Sequence, residues 1–238
     1  MKKFSLHIIL IALFLVAQKI QAQQVKLKDS LFSEALAANF MKFKYETKKA
    51  YDDHDFERGD FLFDSLVENV LKSKYFDDFK VKKLNGVTVS LNNYFKKPVF
   101  LITYASWCIT SQGEIPAINA LAKKYSDKID FVVLYWDNKN NARKASKQYD
   151  KNVNVVYINE VDNTFSSEVI NLKHTFGFPT SFYIDSENRV MDIKRVNKAI
   201  KINDTYLKAY TENYNFFVDG LSSLLINGEI VKEHLAGK

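Results

Sequence analysis

Cys108 is the only cysteine in 238 residues, and the residues around it are of the kinds that thiol chemistry uses. Trp107 precedes it, Ser111 follows three positions on, and Glu114 follows six positions on. The thiolate is the reactive form of a cysteine. A helix N-terminus favours that form through unpaired backbone N–H groups and the positive end of the dipole. The run Pro98 to Tyr104 is apolar, β-branched and aromatic, as a buried strand is, and Ile115, Ile118, Leu121 and Ala122 then recur at helical spacing as far as Tyr125. The pattern predicts a strand that stops at Cys108 and a helix that starts there, with a thiol pKa below that of a free cysteine. Ser111, one helical turn on, would reach the sulfur and donate a hydrogen bond to the thiolate. A serine cannot attack a mixed disulfide, so release of a client bound to Cys108 requires an outside thiol. A lone cysteine is often an inert buried hydrophobe, but a strand-to-helix junction behind a tryptophan favours the attacking role.

These residues carry a resemblance. Trp107-Cys108-x-x-Ser111 resembles the Trp-Cys-x-x-Cys motif of the thioredoxin superfamily, with the second cysteine replaced by Ser111. Glu114 and Pro116 stand where the exported TlpA/ResA-like branch carries a glutamate and a proline, and Gly177-Phe178-Pro179-Thr180 resembles the cis-proline loop of that family. The match runs from about Lys80 to Val196. It implies a thioredoxin-like α/β fold, a mixed sheet with helices on both faces. It implies that Glu114 is the carboxylate near the active sulfur, able to oppose the thiolate or to shuttle a proton. It implies that Pro179 is cis and faces Cys108, and that the backbone of Phe178 is free to pair with a substrate strand. Trp107, Phe178, Pro179 and Thr180 are then the substrate-binding residues, and Cys108, Ser111 and Glu114 the catalytic ones. The sequence departs from the family in lacking a resolving cysteine and in placing Ile109-Thr110 where a proline-containing pair is common.

The elements that must position this motif read as follows. Met1-Lys2-Lys3, the apolar segment Leu6 to Ala17 and Ala22 have the pattern of a secretory signal peptide cleaved after Ala22. The apolar run is about half the roughly 20 residues a membrane span needs, so no stable anchor is expected after cleavage and the mature chain is placed outside the cytoplasm. Residues 23–78 are expected to form a helical extension. Its first helix runs from Ser30 to Lys49 with Asp29 or Ser30 as cap, and a second is capped by Asp60. The connection Tyr51 to Glu57 gathers Asp52, Asp53 and Asp55 around His54, but its spacing is not that of a calcium loop and no metal is assigned. Residues 79–200 alternate strands and helices, opening with a hairpin turned by Asn85-Gly86, which implies a mixed sheet covered on both faces. Residues 201–238 form a C-terminal helical extension whose leucines and isoleucines suit docking on the domain. His174 and His234 have no spaced partner and read as structural or surface groups.

The whole-chain charge of +6 falls to about +3 without the lysines of the leader, too mild to argue for nucleic acid. Hydrophobic residues at 47% suffice for a core, and no cofactor is expected. The expected function is exchange with protein thiols and disulfides through Cys108 alone, by a monothiol oxidoreductase or isomerase. Its partners are a protein substrate bearing a disulfide or thiol and an external thiol reductant. The alternative is a non-enzymatic scaffold that captures an extended peptide in the groove. A peroxidase is the weaker third reading, because Ala105 stands where related peroxidases have threonine in Thr-x-x-Cys.

Overall fold

A computed structural model describes residues 30–163, 166–177, 179–195, 200–201 and 203–236, with side chains as far as Ile226. The leader 1–22 and Phe178 lie outside the described residues. Helix α1 is Phe32–Asp52 and α2 is Phe56–Leu66, which continues into a π-helical turn, Val67–Leu71. Strands β1 (Lys80–Lys83) and β2 (Thr88–Ser90) pair antiparallel across Asn85-Gly86, where Gly86 takes a positive φ of 95°. A one-turn helix, Leu91–Tyr94, leads to β3 (Val99–Tyr104). There follow α3 (Glu114–Tyr125), β4 (Asp130–Trp136), α4 (Lys139–Ser146) and β5 (Val153–Ile158). A π-helical segment, Val169–His174, precedes β6 (Thr180–Ile184) and β7 (Val190–Lys194), and the chain closes with α5 (Tyr206–Ala236).

The seven strands form one mixed sheet in the order β2-β1-β5-β4-β3-β6-β7. The central trio β3, β4 and β5 is parallel, β1 pairs antiparallel with β5 on one side, and on the other β6 pairs antiparallel with β3 and β7 antiparallel with β6. Residues alternate across a strand, so β3 feeds two cores. Val99 and Leu101 join a layer with Phe32, Leu36, Phe63 and Leu71 of the N-terminal helices. Phe100, Ile102 and Tyr104 join the opposite layer with Ile118 and Leu121 of α3 and Phe217, Leu221 and Leu224 of α5. The expected thioredoxin-like mixed sheet with helices on both faces is present, as is the helical extension ahead of it. That extension covers the first layer.

Two helix starts differ from expectation. Leu31, with no polar side chain, holds the cap position of α1, and the free amide is satisfied from a distance. Asp77 accepts the Ser33 N–H at 2.8 Å and the Ser33 hydroxyl at 2.5 Å. Helix α2 begins earlier than an Asp60 cap would place it, because Asp55 Oδ1 accepts the Arg58 N–H at 2.9 Å. The acid loop is thereby accounted for, with Asp55 capping and Asp52 paired to Lys48. Among the described residues no group of three or more His, Cys, Asp or Glu could hold a metal ion, and no helix is long and apolar enough to cross a membrane.

Candidate active site

The C-terminal ends of β3 and β4 place the motif at one edge of the sheet. Thr103 pairs with Thr180 as the first rung between β3 and β6, and this rung brings Pro179 next to the motif strand. A turn follows β3, in which the Cys108 N–H donates to the Ala105 carbonyl at 2.9 Å. The Ala105 N–H in return donates to Cys108 Sγ at 3.2 Å. Ser106 Oγ donates to Asp137 at the end of β4, pinning the turn. Burial works against the Asp137 carboxylate, but hydrogen bonds from Ser106, Asn141 and Asn138 outweigh it and hold its pKa below the usual range.

The helix does not start at Cys108. It starts at Glu114, six residues later, after Gly113 with a positive φ of 83°. Pro116 gives the physical reason, since proline lacks an N–H and its ring clashes with the carbonyl four residues back, so it is tolerated only in a first turn. A helix begun at Cys108 would carry Pro116 in its interior. The thiol therefore lies outside the first turn, without the dipole that was expected to activate it, and it is half buried. Burial pushes the Cys108 thiol above its ordinary value, the Ala105 N–H pulls it back, and Glu114 adds to the rise. The expectation of a lowered thiol pKa is overturned.

Glu114 is the centre of a buried network. Tyr104 donates its hydroxyl to Oε1, while Ser111 donates both its N–H, at 3.1 Å, and its hydroxyl, at 3.2 Å, to Oε2. The Ser111 oxygen accepts from Asn213 Nδ2 of α5 at 2.8 Å, and the same amide donates to the Ala209 carbonyl at 2.9 Å. Glu114 and Asn213 are both buried, so each polar atom here needs the partner it has. The Ser111 proton is committed to Glu114, which differs from the hydrogen bond to the sulfur expected from spacing alone. Burial first, and Glu114 next, push the Tyr104 phenol well above its ordinary value, so it remains a donor. Tyr135 and Tyr149 meet at 3.2 Å between their hydroxyl oxygens and are likewise raised, chiefly by burial.

The substrate-binding candidates fall in different places. Trp107 and Ile109 are exposed, giving an apolar surface on either side of the thiol. Pro179 lines a cavity together with Ser111 and Glu114. Thr180 is buried in the sheet, its hydroxyl donating to the Gly177 carbonyl at 3.1 Å, so its side chain holds the loop. Sequence reasoning missed Tyr104, which reads as the end of an apolar run, and Asn213, which carries no local signal in a polar helix. It also missed Asp137 and Gly113. Gly113 was findable as the one residue before Pro116 suited to a positive φ.

The chain matches the AhpC/TSA family over residues 73–193. It is similar to the thiol-disulfide oxidoreductase ResA of Bacillus cereus, 30% identical over 149 residues, which span 62% of this chain and 83% of that protein. It is also similar to the thioredoxin-like protein YneN of Bacillus subtilis, 26% identical over 116 residues, 49% of this chain and 66% of that protein. Among solved structures, the thioredoxin domain of a thiol-disulfide oxidoreductase from Bacteroides vulgatus aligns with a TM-score of 0.47 at 18% identity, covering 63% of this chain and 97% of that one. By the family match over residues 73–193 and the similarity to ResA, the chain belongs to the AhpC/TSA family, on the ResA-like branch of thioredoxin-fold thiol-disulfide oxidoreductases.

Proposed function

We propose that this is an exported thiol-disulfide exchange protein that works through Cys108 alone. The Cys108 thiolate attacks one sulfur of a client disulfide. A Cys108–client bond forms, the client S–S bond breaks, and the second client sulfur leaves as a thiolate that takes up a proton. An external thiol then reduces the mixed disulfide, because Ser111 cannot. The observation that carries the reading is the placement of the one thiol at the end of β3, between exposed Trp107 and Ile109, with Ser111 at the resolving position bonded to Glu114 and Asn213. The raised thiol pKa fits a holder more than a fast oxidant. A poorly stabilised thiolate is a poor leaving group, so the mixed disulfide persists. Export rests on the leader-like first 22 residues.

The raised pKa also supports a second reading, a scaffold that binds an extended client without covalent chemistry. One experiment separates the two. Acid-quenched cell extracts run without reductant should show higher-mass, reductant-sensitive species containing this protein, absent in Cys108→Ser, and Pro179→Ala should increase them. Equal patterns in wild type and Cys108→Ser, with equal rescue of a deletion strain, would leave only the scaffold.

A further inference from the structure

A cleft of about 880 Å³, in the range of small-molecule sites, lies between α1 and the segment ahead of the proline loop, and Cys108, Ser111, Glu114 and Pro179 do not line it. One face of α1 forms its length, from Leu36 to Asp52, which at 1.5 Å per residue is about 24 Å. That face changes character halfway. Leu36, Ala37, Phe40 and Phe43 are apolar, and Phe176 lines the same end with its ring 5.9 Å from that of Phe32. From Lys44 onward the lining is Lys44, Thr47, Lys48, Tyr51 and Asp52, and Arg195 joins them, its Nη1 donating to the Tyr51 hydroxyl at 3.5 Å. The only acid in the lining, Asp52, is paired with Lys48. Lys44 Nζ lies 5.9 Å from the centroid of the Phe40 ring and the Arg195 guanidinium 3.9 Å from that of Phe63, and among the described residues neither has a carboxylate partner. Lys44, Lys48 and Arg195 against Asp52 alone leave this half of the cleft positive. The walls are mainly helical, with backbone groups bonded within each helix, so an extended peptide finds no strand edge here. A flexible chain with a charged end needs none.

We propose that this cleft binds a free long-chain carboxylate, an amphiphile of the fatty-acid class. The hydrocarbon lies along Leu36, Phe40 and Phe43 and against Phe176, and the carboxylate lies in the half that holds Lys44, Lys48 and Arg195. Burial of the chain supplies most of the affinity, and the uncompensated cations fix its direction. A cationic amphiphile of the same length would meet like charge where its head must sit. The site uses no sulfur chemistry, so it stands or falls apart from the mixed-disulfide reading above.

The test titrates the purified protein, stripped of lipid, with cis-parinarate, a fatty acid that fluoresces when sheltered from water, below its micelle concentration. Fluorescence should saturate, and palmitate should displace the probe. Hexadecanol, with the same chain and no charge, should compete about tenfold less well, the size of one charge-assisted contact. Hexadecyltrimethylammonium should not compete. Among shorter saturated acids, each pair of added methylenes should tighten binding about tenfold until the apolar half is filled, and no further. Phe40→Asp, at a partly exposed position in that half, should weaken binding of palmitate and hexadecanol alike by more than tenfold. Lys44→Glu, on an exposed side chain with no ion pair to lose, should weaken palmitate severalfold and leave hexadecanol unchanged. Absence of saturable binding would overturn the proposal, as would equal affinity for palmitate and hexadecanol. Binding that survives both substitutions would place the chain elsewhere on the molecule and overturn it too. So would binding to vesicles of anionic phospholipid without binding of the free acid, which would make this face a membrane contact instead.

Discussion

At the scale of single residues, the thiol and the carboxylate six positions on oppose one another. Burial and Glu114 both raise the Cys108 pKa, so at neutral pH less of it is thiolate than of a free cysteine. Alkylation by iodoacetamide should therefore speed up with pH and inflect above about 8.5, the value of an unperturbed thiol. Glu114→Gln removes one raising cause, and the inflection should move down while staying above that value, since burial is the larger cause. An inflection at or below 8.5 in the wild type would contradict the geometry. Cys108, Trp107 and Ser111 were legible from type and spacing. The direction of the pKa was not, because it depends on what surrounds the sulfur, and a spacing argument had put a helix where Pro116 forbids one.

At the scale of elements, the active-site loop and the C-terminal helix are locked by close approach. A Cβ on Gly113 would stand 2.6 Å from Tyr210 Cα and 2.7 Å from its backbone nitrogen, and Gly113 already takes a positive φ. Gly220 likewise admits the Tyr183 ring, which a Cβ would meet at 2.1 Å. Gly113→Ala should cost about 1–3 kcal/mol from backbone strain alone, with α5 displaced. Chemical denaturation measures the loss. Exposure of Asn213, followed by amide exchange, should accompany it, and an unchanged midpoint would mean that α5 does not bear on the loop. The docked tail was anticipated from its leucines. Its role as the donor to Ser111 was not, since one asparagine in a polar helix looks like any other.

At the scale of the whole molecule, the N-terminal helices form one of the two cores. Phe32 of α1 packs against Phe76, Phe176 and Phe182 with ring centroids 5.5, 5.9 and 6.2 Å apart. Phe176 and Phe182 belong to the segment that carries the proline loop and to the strand after it, so the extension supports the site from behind. Phe32→Ala should cost about 3–5 kcal/mol, the range for removing a buried aromatic ring. Thermal unfolding should show one transition at lower temperature. Two separate transitions, with the motif-bearing part unaffected, would show that the extension folds apart.

The fold class and the candidate thiol are legible in the sequence by itself, because they depend on local facts. A lone cysteine after an apolar strand, a serine where attack would need sulfur, an Asn-Gly hairpin and strands alternating with helices are all visible in one dimension. Tertiary structure decided what depends on partners distant in the chain. Asp77 caps a helix that begins 45 residues before it, Asp137 pins Ser106, and Asn213 holds Ser111 from 102 residues away. Burial set the ionisation of the thiol, and α5 walled the cavity beside it. Hydrogen bonds and desolvation act through space, and the order of residues along the chain does not reveal which groups the fold will bring together.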